Sequence, residues 1–448
     1  MSASADLTII GAGPAGTLLA LLAARRNQQV ALYERGGDPR STPAEAGRSI
    51  NLALAARGMR ALQAAGVLET LRPLMVPMPG RQLHLADGTA AFSPYGQRPG
   101  EINYSISRVE LTRSLVEAAA RDGRITLYFG QRCSGVAPSG ALLMHDESAA
   151  RSYVLAASRV VGADGAGSAL RKSLAAAGAL RASNELLQHD YKELTIPAIA
   201  GRSALATREA LHIWPRRGFM LIALPNTDQS FTATLFMPRT GADSFEALAQ
   251  PGAARAFFAR AFPDVLPLMP DFDGEYATHR QGILGTVRCD PWHHGEQLLL
   301  VGDAAHAIVP FHGQGMNCAL EDCRLLDGIL SEGKPAPFAR FSAARRVDAA
   351  AIAAMSLENY GEMREEVLDA RFHRQKQLAL QLERRFPDRF IPRYAMVMFH
   401  DEIPYSVALE RGRIQQQILD ELCAVPEALI PDLATLLVEA RLPPLLPV

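Results

Sequence analysis

Gly11, Gly13 and Gly16 stand at GxGxxG spacing in the run GAGPAG. That spacing lets a chain turn tightly, bring its backbone against a pyrophosphate, and pack the following helix closely on the preceding strand. The surrounding residues supply the frame. Leu7–Ile10 is a short apolar run, Thr17–Arg26 carries Leu and Ala at helical spacing, and Gln29–Tyr33 resumes a strand pattern that ends at Glu34. A βαβ unit of about 30 residues with an acid closing its second strand is the expected setting for a dinucleotide. The helix N-terminus would face the phosphates. The Glu34 carboxylate can accept both ribose hydroxyls of an adenosine and would repel a 2′-phosphate. These residues predict tightly held FAD or NAD.

Leu298–Asn317, LLLVGDAAHAIVPFHGQGMN, favours FAD. An apolar strand there delivers Gly302-Asp303, and an aspartate at a strand end can accept hydrogen bonds from a ribityl chain. A Pro-Phe-His-Gly-Gln-Gly loop follows, ending at Gly315, which is expected at the cofactor, and a helix is expected to begin near Met316, where its dipole would stabilise negative charge on a reduced flavin. Two further segments keep two readings each. Asp164-Gly165, after the strand-like Arg159–Ala163 and ahead of Arg171, is a nucleotide element or a simple strand-to-helix turn. Ser107–Leu115 opens with the S-x-x-E capping box of a helix start, and Arg108 in its first turn contacts the nucleotide or is merely solvated.

The elements that must position these residues belong to a chain of 448 residues, beyond the roughly 250–300 at which single cores stop growing. Two or three lobes are expected. Hydrophobic residues make up 48% and charged residues 21%, which excludes disordered and fibrous classes. A net charge of −1 gives no global attraction to nucleic acid or anionic lipid. Five cysteines, an odd and small number, argue against a disulfide framework and for a reducing cytoplasm. The start lacks a basic leader pattern, and the apolar Leu442–Val448 is short and interrupted by prolines, so neither secretion nor membrane spanning is expected. The fold class expected is α/β: a Rossmann-like FAD-binding lobe over residues 1–180 and 285–340, and an inserted antiparallel-sheet substrate lobe over 181–284, with 76–106 contributing. Ala210–Trp214, Met220–Ala223 and Phe231–Met237 are its strand candidates. Residues 341–448 read as mainly helical. His293-His294, adjacent in sequence, suit a metal poorly, and no metal site is expected. Cys318 and Cys323 read as core.

GAGPAG with Glu34, Asp164-Gly165 and Gly302-Asp303, in that order, resemble the single-component flavin-dependent aromatic hydroxylases. GRSINLALAARG (Gly47–Gly58), LHIWPR (Leu211–Arg216), PFHGQGMNCALED (Pro310–Asp322), LENYGEM (Leu357–Met363) and FIPRYAMVMF (Phe390–Phe399) are similar to the kynurenine-hydroxylating branch of that family. The resemblance implies FAD held tightly, NADPH as a transient co-substrate without a domain of its own, and dioxygen. It implies L-kynurenine hydroxylated at ring position 3 to 3-hydroxykynurenine through a flavin C4a-hydroperoxide. It places Arg81 and Tyr95 at substrate-carboxylate positions, Asn359 and Tyr394 at two further substrate contacts, and Leu211, Ile222, Phe236, Pro310, Phe311, His312, Glu362 and Met363 near the aromatic ring. Ala15, Glu34, Arg35, Ala53, Arg108, Asp303, Met316 and Asn317 fall at FAD-contact positions. Animal members carry a C-terminal membrane segment that is not found here, so the resemblance is to the soluble bacterial type.

Kynurenine is a zwitterion bearing an aniline ring, so its pocket needs a cation in a mostly apolar wall; a guanidinium grips a carboxylate bidentately and keeps its charge when desolvated. No protein base is required, because the aniline amine donates electron density to the carbon that is attacked. On a helix Asn359, Glu362 and Met363 share one face. Two other functions fit parts of the pattern: an FAD-dependent hydroxylase of another anthranilate-like or phenolic ring, and a non-catalytic prenyl-protein escort of the same nucleotide-fold ancestry. Gly302-Asp303 with GQGMN argues against the escort.

Overall fold

The computed structural model describes residues 5–41, 51–364 and 370–445, without the side chains of 363, 364, 370, 372 and 373. Gly47–Ile50 of the GRSINLALAARG motif and the Met363 side chain therefore lie outside the described residues.

Leu7–Ile10 is buried along its whole length and pairs in parallel with Val30–Tyr33 on one side and Val160–Gly162 on the other. Ile125–Tyr128 extends the sheet beyond Val30–Tyr33, and Leu298–Leu300 extends it beyond Val160–Gly162 in parallel; His293–His294 closes that edge antiparallel. Continuous apolar runs are what parallel strands covered on both faces require. The order has a direct consequence. The strands ending at Ile10, Gly162 and Leu300 are neighbours, so the turns bearing Gly11, Asp164 and Asp303 open at one edge of the sheet, the edge where α/β folds bind ligands.

The glycines of GAGPAG divide their work. A Cβ on Gly16 would lie 1.9 Å from the Gly11 carbonyl oxygen, and one on Gly11, whose φ is +104°, would lie 2.4 Å from the Ala163 carbonyl oxygen. Neither position admits a side chain, because here the helix Pro14–Arg25 touches the strand-end turn backbone to backbone.

A second sheet has seven strands, and five of them come in the order Gln281–Asp290, Arg181–Ile196, Phe231–Pro238, Phe219–Pro225, Leu211–Arg216. Gly80–His84 then pairs in parallel with Leu211–Arg216, and Ala90–Pro94 completes the edge. The expected lobe boundary at 284/285 differs from this arrangement, since Gln281–Asp290 is one continuous strand crossing it. The backbone pairs with Arg181–Ile196 over almost its full length, so no linker separates the lobes there.

Period-2 alternation gives this sheet two different faces. Leu221, Ala223, Phe231, Ala233, Leu235 and Met237 point into a core with Phe257, Phe258, Phe262 and Phe272. The alternate residues turn toward the nucleotide lobe. The C-terminal part is helical, with Pro337–Arg364, Ala370–Arg385, Arg393–Met398, Tyr405–Cys423 and Ile430–Arg441. No helix among the described residues is long and apolar enough to cross a membrane.

Replacing Gly16 by Ala should destabilise the FAD-free protein by about 1–3 kcal/mol through overpacking; a thermal melt of the apoprotein matching wild type would refute this contact.

Candidate active site

One cavity of about 460 Å³ joins the two lobes. One end is formed by Gly13, Pro14, Ala15, Gly165 and Asp303, and the opposite end by Arg81, Tyr95, His312 and Tyr394. Ala53, Pro310, Gly315 and Met316 line the passage between them, and Arg108 and Glu193 line the cavity near enough for the Arg108 charge to act on the Glu193 carboxyl.

The nucleotide end fits FAD. Gly13 caps the helix Pro14–Arg25 with extended backbone and no side-chain bond, and a Cβ there would meet no protein atom within 4 Å. Its space is open toward the cavity, as a phosphate cradle demands. Asp164 accepts from the Ala169 amide at 2.8 Å through Oδ2, while its buried Oδ1 has no partner among the described residues; burial raises its pKa. Glu34 accepts from the Ala12 amide at 2.8 Å and the Gly36 amide at 2.8 Å, which pins its carboxylate at the strand end beside the glycine turn. Gly315, Met316 and Asn317 open the helix Gly315–Ser331.

Several expected site residues stand off the cavity surface. Gly11 and Gly16 act in backbone packing, and Arg35 is exposed beyond Glu34. Asn317 is buried and braces the passage: its amide donates to the Ala53 and Gly313 carbonyls, both at 2.8 Å, and its carbonyl accepts from the Ala55 amide at 2.9 Å. Asn359 is likewise a brace, donating to the Phe311 carbonyl at 2.5 Å. Glu362 is half-buried and acts on Arg81 through its charge.

At the other end Arg81, on Gly80–His84, has its guanidinium carbon 4.6 Å from the Tyr394 ring centre and 5.3 Å from that of Tyr95. Cations over aromatic faces are held electrostatically. Burial opposes the Arg81 charge, but Tyr394, Tyr95 and Glu362 more than offset it, and the net direction of its pKa is upward. Its Nε has no hydrogen-bond partner among the described residues. The Tyr95 and Tyr394 rings stack at 5.4 Å, and His312 stacks on Tyr394 at 5.3 Å. Burial, with help from Arg393 and Arg81, pushes the His312 pKa down to about 3, so this imidazole is neutral at physiological pH. Phe311 packs on Phe236 at 5.1 Å and on Tyr360 at 4.1 Å, and Leu211 and Ile222 complete an apolar wall. The arrangement sets the Arg81 cation at one end of an apolar wall, with the Lys376 amine near enough to feel its charge.

Sequence reasoning missed Tyr191, Glu193, Met220, Leu224 and Thr234, which also line the cavity. For three of them the signal was available, since Met220 and Leu224 flank Ile222 and Thr234 stands two residues before Phe236; Tyr191 and Glu193 lie on Arg181–Ile196, where no site residue was expected. Glu193 is titratable near neutrality. Burial raises its pKa from 4.5 to about 7, against the pull of His279 and Arg108.

Gly13 and Glu193 each generate a prediction. Gly13→Ala should leave the melting temperature of the apoprotein unchanged while weakening FAD binding by at least about tenfold, since the methyl fills only ligand space; fluorescence titration with FAD checks it. For Glu193, the folded state holds its proton more tightly than the unfolded chain. Its stabilising contribution is complete below about pH 4.5 and declines as the pH rises through about 7. Thermal melts across that window should show a shallower decline for Glu193→Gln than for wild type.

Comparison with known proteins bears on the whole chain. Residues 4–334 match the FAD binding domain family. The chain is 45% identical over 418 residues to the kynurenine 3-monooxygenase of Xanthomonas oryzae pv. oryzae, covering 93% of this chain and 92% of that protein. It is 45% identical over 420 residues to that of Stenotrophomonas maltophilia, covering 93% and 92%. Among solved structures, 2-methyl-3-hydroxypyridine-5-carboxylic acid oxygenase superposes with a TM-score of 0.67 at 20% identity, over 82% of this chain and 95% of that one. PqsL of Pseudomonas aeruginosa, solved with 2-aminobenzoylacetate, gives 0.65 at 20% identity, over 81% and 97%. The identity to proteins of one name over nearly the full length, with an FAD-binding domain that the cavity geometry matches, makes this chain a member of the kynurenine 3-monooxygenase family.

Proposed function

We propose that the protein is an FAD-dependent monooxygenase that hydroxylates L-kynurenine at ring position 3, consuming NADPH and dioxygen. The observation that carries this reading is the single cavity in which the nucleotide turns and the Arg81, Tyr95 and Tyr394 cluster are both exposed. The balanced reaction is kynurenine, NADPH, dioxygen and a proton giving 3-hydroxykynurenine, NADP⁺ and water. Bound FAD supplies the redox chemistry between NADPH and dioxygen.

The chain's residues bind, orient and exclude water. Arg81 offers its unpartnered Nε edge to the substrate carboxylate, and the tyrosine rings around it keep that charge desolvated and directional. Phe236, Phe311, Leu211 and Ile222 hold the aniline ring flat against an apolar wall. The Pro310–His312 turn forms the boundary between ring slot and cofactor passage, and Asn359 fixes that turn through the Phe311 carbonyl. Neutral His312 adds no competing cation there. Orientation and dryness are the main contributions open to a protein whose cofactor performs the bond-making step. All five cysteines are free thiols, which fits a reducing compartment, and cytoplasmic placement is part of this proposal.

Purified protein should be yellow, and adding L-kynurenine should raise NADPH oxidation with a product heavier by one oxygen. Arg81→Met should remain yellow while its affinity for L-kynurenine falls by about a hundredfold, the cost of leaving a carboxylate unpaired in a buried site. Unchanged affinity would take Arg81 out of the site.

A further inference from the structure

Arg57, in the helix Ala56–Ala64 of the nucleotide lobe, is 2% exposed and lines no part of the cavity, yet its guanidinium is engaged on every side. Nη1 pairs with Glu321 at 2.8 Å and donates to the Asp401 carbonyl at 3.4 Å. Nη2 donates to the carbonyls of His400, at 3.3 Å, and Ile403, and Nε donates to that of Val397 at 3.3 Å. The Tyr405 ring centre lies 3.9 Å from the guanidinium carbon.

Four of those partners are backbone carbonyls at and just after the end of the helix Arg393–Met398. A helix C-terminus leaves its last carbonyls unpaired and concentrates partial negative charge, and a buried guanidinium answers both needs. The helix so held is the one that carries Tyr394, stacked between Tyr95 and His312 and beside Arg81, and Met398, which also lines the cavity.

The other side of the network reaches the cofactor turn. Glu321 also pairs with Arg345 at 2.9 Å, and Arg345 pairs with Asp322 at 2.9 Å. Asp322 accepts from the Gly302 amide at 3.0 Å and meets His306 Nε2 at 2.6 Å. Burial disfavours the Asp322 charge, but His306 and Arg345 outweigh it and hold its pKa below the ordinary value. Two arginines and two carboxylates thus form one buried, charge-balanced chain from the Gly302-Asp303 turn to the end of the Tyr394 helix.

We propose that Arg57 is a positioning residue for the substrate, reaching from the nucleotide lobe to fix the Arg393–Met398 helix and thereby setting where Tyr394 stands against Arg81. The proposal rests on the reading of Arg81, Tyr95 and Tyr394 as the carboxylate clamp. A residue that only supported the fold would change FAD retention, turnover and affinity together. A residue that positions Tyr394 acts at the substrate end alone.

The test is Arg57→Lys, which keeps the charge beside Glu321 and loses the planar fork that serves several carbonyls at once. The holoenzyme variant should retain stoichiometric FAD and a kcat within about twofold of wild type, with a KM for L-kynurenine raised by about tenfold. Hydrogen exchange of the amides in 393–403 should speed up, while that of the Gly302–His306 segment should stay unchanged. Glu321→Gln, an isosteric change that withdraws only the countercharge, should move KM the same way by a smaller factor, and it serves if Arg57→Lys does not fold. KM at the wild-type value in the folded variants would overturn the proposal, as would loss of FAD and kcat in step with affinity. Arg81→Met run alongside separates the two ideas. If Arg81→Met keeps full affinity, the clamp reading fails; if it loses affinity while Arg57→Lys and Glu321→Gln do not, only the positioning role fails.

Discussion

A guanidinium that must stay charged inside a largely apolar cavity is the constraint around which the substrate end is built. Withdrawing such an ion from water costs several kcal/mol even after relaxation. Arg81 meets that cost with two aromatic faces and the field of Glu362, and it keeps Nε unsatisfied. A cation held this way gains most when a carboxylate arrives, which is what the proposed clamp requires of it. The guanidinium and its three partners come from separate parts of the chain: Arg81 from the strand Gly80–His84, Tyr95 from just after the strand Ala90–Pro94, and Glu362 and Tyr394 from the helices Pro337–Arg364 and Arg393–Met398.

Bringing them together explains the architecture. Arg81 sits on Gly80–His84, which joins the second sheet in parallel beside Leu211–Arg216, so Leu211 pairs with Arg81 itself. The rest of that sheet supplies the ring slot from its inner face and anchors its outer face in a phenylalanine-rich core. The outer core uses residues of no chemical consequence to hold the inner face still. A strand can serve both ends at once only because successive side chains point to opposite faces.

How much of this the sequence discloses depends on how local the interaction is. The cofactor half is readable because the glycine turn, the acid after the second strand and the later strand ends each announce themselves within a few residues, and parallel-sheet topology then places three such ends side by side. Leu211, Ile222 and Phe236 come through resemblance, and alternation along their strands extends the set to Met220, Leu224 and Thr234 but not to Glu193, whose strand carries no expected site residue. Asn317 and Asn359, reached through resemblance, show what residue type leaves open. An amide suits a ligand and a backbone equally well, and only coordinates reveal that both donate to carbonyls of the passage. Arg57 was visible as a letter in a motif, but the four carbonyls it serves lie more than 300 residues away in sequence, and no spacing rule reaches that far.

The two ends of the cavity differ in what they are made of, and this bears on how specificity is distributed. The nucleotide end is largely backbone: amides, glycine space and three strand-end carboxylates. Backbone contacts tolerate wide sequence change, which agrees with the fold persisting at 20% identity in an oxygenase for a different ring. The substrate end is side chains, and Tyr394 and Glu362 belong to helices after residue 334, where the match to the general FAD-binding domain stops. The 418 residues aligned with the Xanthomonas relative must extend past that point. On the proposed reading of Arg81, Tyr95 and Tyr394, recognition of the amino-acid carboxylate is assembled where the shared nucleotide domain gives way to the C-terminal helices. A change of substrate within this architecture calls for altering the helical cover and the inner sheet face, leaving the glycine turn as it is.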